Sequence, residues 1–169
     1  ISPSIFPIET IASIAMFNPD DKFTYDDVFY GLALPSGADA ANALSFDLTG
    51  TPEGLAKDMN EFAARVGMKN TNFVNTTGLD HSDHLTTVED LAIGIRYALN
   101  NETFKKYYTT KLHTSGTSRM HPNGIDWSNS TLVNAERLGF TQIIGAKSGT
   151  TKLAERSVSL LMELDGNQY

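Results

Sequence analysis

The chain has 169 residues, 40% of them hydrophobic, with 13 basic against 20 acidic side chains, a net charge of −7 and no cysteine. That length suits one domain with a real core, and the missing thiols exclude disulfides, thiolate metal sites and cysteine nucleophiles. The acidic balance, with no basic run or aromatic-interleaved stripe, excludes nucleic acid as an expected partner and argues against adhesion to anionic lipid.

Thr24 is placed to cap a helix whose first turn carries Asp26 and Asp27 and whose apolar side holds Val28, Phe29 and Leu32, with Pro35 as its stop. Ser36 falls in the connection, and a second helix is expected from Asp39 to Leu44. Thr51-Pro52-Glu53 opens another, with Leu55, Met59, Phe62, Ala63 and Val66 at helical spacing up to Gly67. Thr86 or Thr87 opens the next, through Val88, Leu91, Ala92, Ile95 and Leu99, and Asn100-Asn101 ends it. Lys111 to Thr114, Gln142 to Lys147 and Glu155 to Leu164 read as strands; Val158, Leu160, Met162 and Leu164 share one face of the last. Asp165-Gly166 is a hairpin signal, and residues 113–130, rich in Ser, Thr, Gly and Asn, read as an exposed loop. Helices first and antiparallel strands last predict an α+β fold, with a mainly helical part over about residues 20–108, a sheet part over 109–169, and a cleft where they meet. No stretch reaches the roughly 18–20 apolar residues of a membrane span.

The octet Ile143-Ile144-Gly145-Ala146-Lys147-Ser148-Gly149-Thr150 concentrates chemistry on one strand edge. Alternation puts Lys147 and Gly149 on one side and Ser148 on the other, and Gly149 leaves the backbone open to an incoming ligand. Such an edge can pair with an extended peptide while Lys147 attracts a carboxylate and Ser148 donates a hydrogen bond to it. The bland alternatives are a solvated lysine at a strand end and a serine at position 36 that merely caps the following helix. In Asp80-His81-Ser82-Asp83-His84, two histidines three apart with adjacent carboxylates have ligand chemistry for zinc, but no third ligand is placed by spacing, so no metal and no cofactor is assigned.

Four segments in order resemble the penicillin-recognising serine D-alanyl-D-alanine carboxypeptidases, low-molecular-weight penicillin-binding proteins. Phe29-Tyr30-Gly31-Leu32-Ala33-Leu34-Pro35-Ser36-Gly37 is similar to the run into the family's Ser-x-Asn element, and Asp39 to Leu44 to the helix behind it. Asn75-Thr76-Thr77-Gly78-Leu79-Asp80, with His84 and residues 86–92, resembles its Asn-x-x-Gly-Leu loop and next helix; Lys147-Ser148-Gly149-Thr150 resembles its Lys-Thr-Gly strand. The resemblance makes His84 part of a loop packed on that helix.

Two departures stand out. No Ser in the chain has a Lys three residues later, and only Thr103-Phe104-Lys105-Lys106 comes near the Ser-x-x-Lys box that carries the family's nucleophile. The box is therefore expected before Ile1, and the chain is expected to be incomplete at both ends. The second departure is Ala38, where the family has an Asn able to donate to substrate and accept from the nucleophile's Lys.

The resemblance implies a partial transpeptidase-like domain over residues 1–169, in a hydrolase acting on peptidoglycan stem peptides and acylated by β-lactams. It implies an extracytoplasmic location, with any membrane attachment through an anchor outside this chain. By the same token Ser36 and Lys147 would be catalytic, Ser148, Gly149 and Thr150 would bind substrate, and the Thr150 N–H would form half of an oxyanion hole. Two other classes remain open: a penicillin-fold protein binding cell-wall peptide without turnover, and a β-lactamase, which Gly37-Ala38 disfavours.

Overall fold

The computed structural model describes residues 12–169. The first helix, α1 (Tyr25–Ala33), begins where its cap was expected: the Thr24 hydroxyl accepts from Asp27 N at 3.1 Å and the Asp27 carboxylate accepts from Thr24 N at 3.1 Å. Leu34 closes it ahead of Pro35. The second, α2 (Ala38–Thr49), is longer than the expected 39–44 at both ends and stops at left-handed Gly50. Ser45 and Thr49 do not break it, because their hydroxyls donate back to the carbonyls of Ala41 and Ser45 at 2.7 and 2.9 Å. Four small residues, Ala38, Ala40, Ala41 and Ala43, are buried and allow α1 and α2 to pack closely.

Helix α3 (Pro52–Val66) has Thr51 as cap and left-handed Gly67 as stop, and α4 (Val88–Ala98) is capped by Thr87. Asn101 does more than end α4. Its side chain accepts from Thr103 N and Phe104 N and opens α5 (Glu102–Thr109), a helix not foreseen in the sequence. The Thr103 to Lys106 near-match is therefore one turn of α5, where Lys106 and Tyr107 both bond Asp26 of α1, at 2.7 and 2.6 Å. Burial, helped by Asp26, pushes the Tyr107 phenol up to about 12.

Strand β1 (Leu112–Thr114) pairs antiparallel with β2 (Asp126–Ser128), which corrects the exposed-loop reading of residues 113–130. Ser115, Ile125, Trp127 and Asn129 are buried there, and Trp127 donates its indole N–H to the Ala15 carbonyl at 2.9 Å. Asn129 then caps α6 (Ser130–Arg137), a second unforeseen helix. The main sheet is an antiparallel meander of β3 (Ile143–Thr151), β4 (Glu155–Leu164) and β5 (Asn167–Gln168), with a bulge in β3 between Ile143 and Gly145. The β4–β5 turn uses Asp165 and Gly166, both at positive φ. Strand β3 runs four residues beyond Lys147, its expected end, because residues 148–151 keep register with Val158, Ser157, Arg156 and Glu155.

The fold is α+β, helices beside antiparallel strands. Its core gathers Phe17, Phe23, Val28, Tyr30, Leu34, Ala40 and Leu44 with Ile125 and Trp127, joining α1 and α2 to the β1–β2 ribbon. On the main sheet, Leu161 is buried and Tyr108 of α5 lies against Gly145, whereas Val158, Leu160 and Leu164 on the opposite face of β4 stay exposed. Among the described residues no helix is long and apolar enough to cross a membrane.

Candidate active site

A cavity of about 420 Å³ opens between the α1–α2 connection, the loop at Thr77, Gly78 and Leu79, the β2–α6 junction and residues 147–151 of β3. All five residues singled out in the sequence line it, namely Ser36, Lys147, Ser148, Gly149 and Thr150. The Lys147 ammonium donates to the Ser36 hydroxyl, 111 residues away in sequence, and to the Ser148 carbonyl at 2.7 Å.

Ser36 does not cap the helix that follows it. Gly37 holds the N-cap position and makes no side-chain cap, which leaves the Ser36 hydroxyl for Lys147. The Ser36 backbone is left-handed, φ 62°, a conformation that costs a residue with a Cβ on the order of 1–3 kcal/mol.

Lys147 has no ion-pair partner among the described residues, and its burial pushes the amine below its ordinary value. A cation in a cavity with no ion-pair partner can attract an anion, whose charge would offset what the lost hydration cost. Ser148 lies on the other side of the strand, as the two-residue period requires, and accepts from Thr131 of α6 at 3.1 Å. Its own proton stays available to a ligand.

The edge of β3 can be oriented from its bonds. The Ala146 carbonyl is taken by the Asn129 side chain at 2.8 Å, away from β4, so the backbone groups of Ser148 and Thr150 also turn toward the unpaired edge. The Lys147 carbonyl turns the other way and accepts from Ser159 of β4 at 3.3 Å. A Cβ added at Gly149 would meet no atom within 4 Å, so the face of the strand there is open, and no strand pairs with the edge beside it.

Sequence reasoning missed the lining residues Ser128, Asn129 and Ser130, and it singled out the loop with Thr77 and Leu79 as a family likeness without giving it a place in the cavity. The signal was present: Asn129 precedes Leu132 and Ala135 at helical spacing, the pattern of a cap. In the wall, the Asn75 side chain accepts from Gly78 N at 2.8 Å and donates to the Leu79 carbonyl at 2.9 Å. Asp80 then accepts from Leu153 N at 3.0 Å in the β3–β4 turn; the Thr151 hydroxyl, then the Leu153 and Lys152 N–H groups, hold its carboxyl below the usual range.

Ala38 lines the cavity with a methyl group and offers it no hydrogen bond. His81 and His84 each spend Nδ1 on a backbone N–H, of Asp83 and Val74. Burial pushes the His84 ring below its usual value, and the ring meets Phe73, on the segment before the loop rather than the helix after it. Among the described residues, no group of three His, Cys, Asp or Glu side chains could hold a metal.

A family model describing D-alanyl-D-alanine carboxypeptidases matches residues 6–164. The D-alanyl-D-alanine carboxypeptidase DacF of Bacillus subtilis is 35% identical over 92 residues, 54% of this chain and 24% of that protein. DacA of Haemophilus influenzae is 28% identical over 141 residues, 80% of this chain and 36% of that protein. The crystal structure of the Streptomyces K15 DD-transpeptidase superposes with a TM-score of 0.82 at 27% identity, covering 93% of this chain and 62% of that one. A D-alanyl-D-alanine carboxypeptidase from Mycobacterium tuberculosis shares the fold, with a TM-score of 0.81 at 24% identity over 95% of this chain and 59% of that one. The chain thus spans between 24% and 36% of the length of these two curated relatives.

Proposed function

The chain belongs to the D-alanyl-D-alanine carboxypeptidase family, and on that premise we propose that its protein removes the terminal D-alanine from peptidoglycan stem peptides through a serine acyl-enzyme. The observation that carries the reading is the Lys147 ammonium, unpaired by any described carboxylate and bonded to Ser36, at the margin of an open strand edge.

In this reading the peptide pairs with β3, and its terminal carboxylate lies between Lys147 and Ser148. The acylating serine belongs to a Ser-x-x-Lys box outside the 169 residues. Its oxygen attacks the carbonyl between the two D-alanines and its proton passes to the box lysine. The C–N bond then breaks, and Ser36, its hydroxyl held by Lys147, relays that proton from the box lysine to the departing amine. The Thr150 N–H, turned toward the free edge, stabilises the oxyanion together with the nucleophile's own N–H. Water releases the shortened peptide. β-Lactams, which carry a carboxylate beside a strained amide, would be captured by the same groups, and the setting is the bacterial cell envelope.

Ala38 favours a second reading, peptide binding without turnover, since the methyl supplies no hydrogen bond where the family's Asn would. Fluorescent penicillin, followed by denaturing electrophoresis of the full-length protein, separates the two. Covalent labelling is expected. Retained peptide binding with no labelling would establish the second reading instead.

A further inference from the structure

Two residues with a Cβ adopt left-handed backbone in neighbouring segments, Met16 at φ 69° and, in the cavity wall, Ser36 at φ 62°, and one carboxylate connects them. Asp39 is 8% exposed. One of its oxygens accepts from Ala15 N at 2.7 Å and from Ala40 N at 3.0 Å; the other accepts from Phe17 N at 3.1 Å. The left-handed Met16 turns the N–H groups on either side of it toward one point, a backbone nest for an anion, and Asp39 fills it from the first turn of α2.

The same contact fixes the turn that carries Ser36. Ala38 N donates to the Ser13 carbonyl and Gly37 N to the Gly31 carbonyl, both at 2.9 Å. A Cβ at Gly37 would lie 2.7 Å from Asp39 Oδ1 and from the Gly31 carbonyl and 2.8 Å from Ala15 Cβ, so the turn has no room to relax. Trp127 holds the far side of the same segment through the Ala15 carbonyl. Local preference would let residue 36 leave the left-handed region; these bonds prevent it.

We propose that Asp39 is a positioning residue, whose grip on the N–H groups of Ala15 and Phe17 holds Ser36 left-handed and so presents its hydroxyl to Lys147. The kinetic part of this inference rests on the function proposed above; the structural part does not.

The test is Asp39→Asn, which keeps the shape and replaces one accepting oxygen by a donor. In this chain, the Lys147 Cε resonance is followed by NMR as pH is raised. With Asp39→Asn folded by circular dichroism, water enters beside Ser36 and the Lys147 midpoint moves up toward the ordinary lysine value. In the full-length protein kcat falls at least tenfold while KM stays within threefold. A folded variant whose Lys147 midpoint equals the parent's overturns the proposal. Should Asp39→Asn fail to fold, Asp39→Ser, which keeps a short acceptor for Ala40 N and releases Ala15 and Phe17, carries the same readout. Loss of folding in both overturns it too, since the carboxylate would then be a determinant of folding rather than of Ser36 geometry. A full-length parent that is never labelled by penicillin sinks the proposed function and leaves the Lys147 titration to decide the role of Asp39.

Discussion

The two walls of the cavity are built on opposite terms. On the helical side, Ser36 sits in a turn where backbone bonds, the Asp39 carboxylate and the absence of space at Gly31 and Gly37 leave one conformation. On the strand side, Gly149 has open space beside it and β3 is an edge, with only β4 as its neighbour in the sheet. Under the proposed function, a hydroxyl that relays a proton gains from being immobile, whereas an edge that accepts a peptide as its next strand has to remain unpaired.

Substitutions should expose that contrast. Gly37→Ala is expected to do the most damage, because backbone and Ala15 cannot yield to the added methyl; the loss should be about 3 kcal/mol in urea unfolding. Lys147→Met should leave stability unchanged or improved, since it removes a desolvated charge, yet weaken binding of a short peptide ending in D-Ala-D-Ala. Losing a charged hydrogen bond of about 1.5–3 kcal/mol corresponds to roughly 10–100-fold, readable by calorimetry. An unchanged affinity would detach the strand wall from ligand binding altogether.

The pH dependence sharpens the same point. Burial lowers the Lys147 amine in the folded chain, so affinity for a carboxylate ligand should fade at a lower pH than an ordinary lysine would give. Between the folded and unfolded values the unfolded chain holds a proton the folded one has released, so fold stability in that window should rise with pH. Gly149→Ala, in contrast to Gly37→Ala, should shift stability by no more than about 0.5 kcal/mol, while its methyl obstructs the edge and lowers peptide affinity. Smallest of all, Asp26→Asn weakens the half-exposed bonds to Lys106 and Tyr107 outside both walls; the urea midpoint should move only slightly and ligand binding should be untouched.

Much of the helical wall was legible because its signals are local. Thr24 and Thr51 cap the helices they were expected to cap, Thr87 is the one of the two candidates that caps α4, and β4 spans Glu155–Leu164 as its alternation indicated. Asn101 misled because a cap and a stop share the same residue type, and α5 was lost with it. The β2–α6 region misled through composition: its Ser and Asn residues looked solvated, but a bond from Trp127 to a carbonyl 112 residues distant draws the segment inward. No window of sequence contains that partner. Ser36 and Lys147 could be nominated from motifs; the left-handed turn and the Asp39 grip that bring them together could not, since both depend on residues 13–17 arriving from elsewhere in the chain.

The bond between Ser36 and Lys147 closes a loop of 111 residues. Chain entropy opposes such a closure, and the bond from Trp127 to the Ala15 carbonyl, 112 residues apart, closes a loop of similar size, so core and cavity meet the same entropic cost together. Under the proposed function, peptide capture would therefore need both ends of this loop in place at once, and its loss would report the parting of either wall from the other.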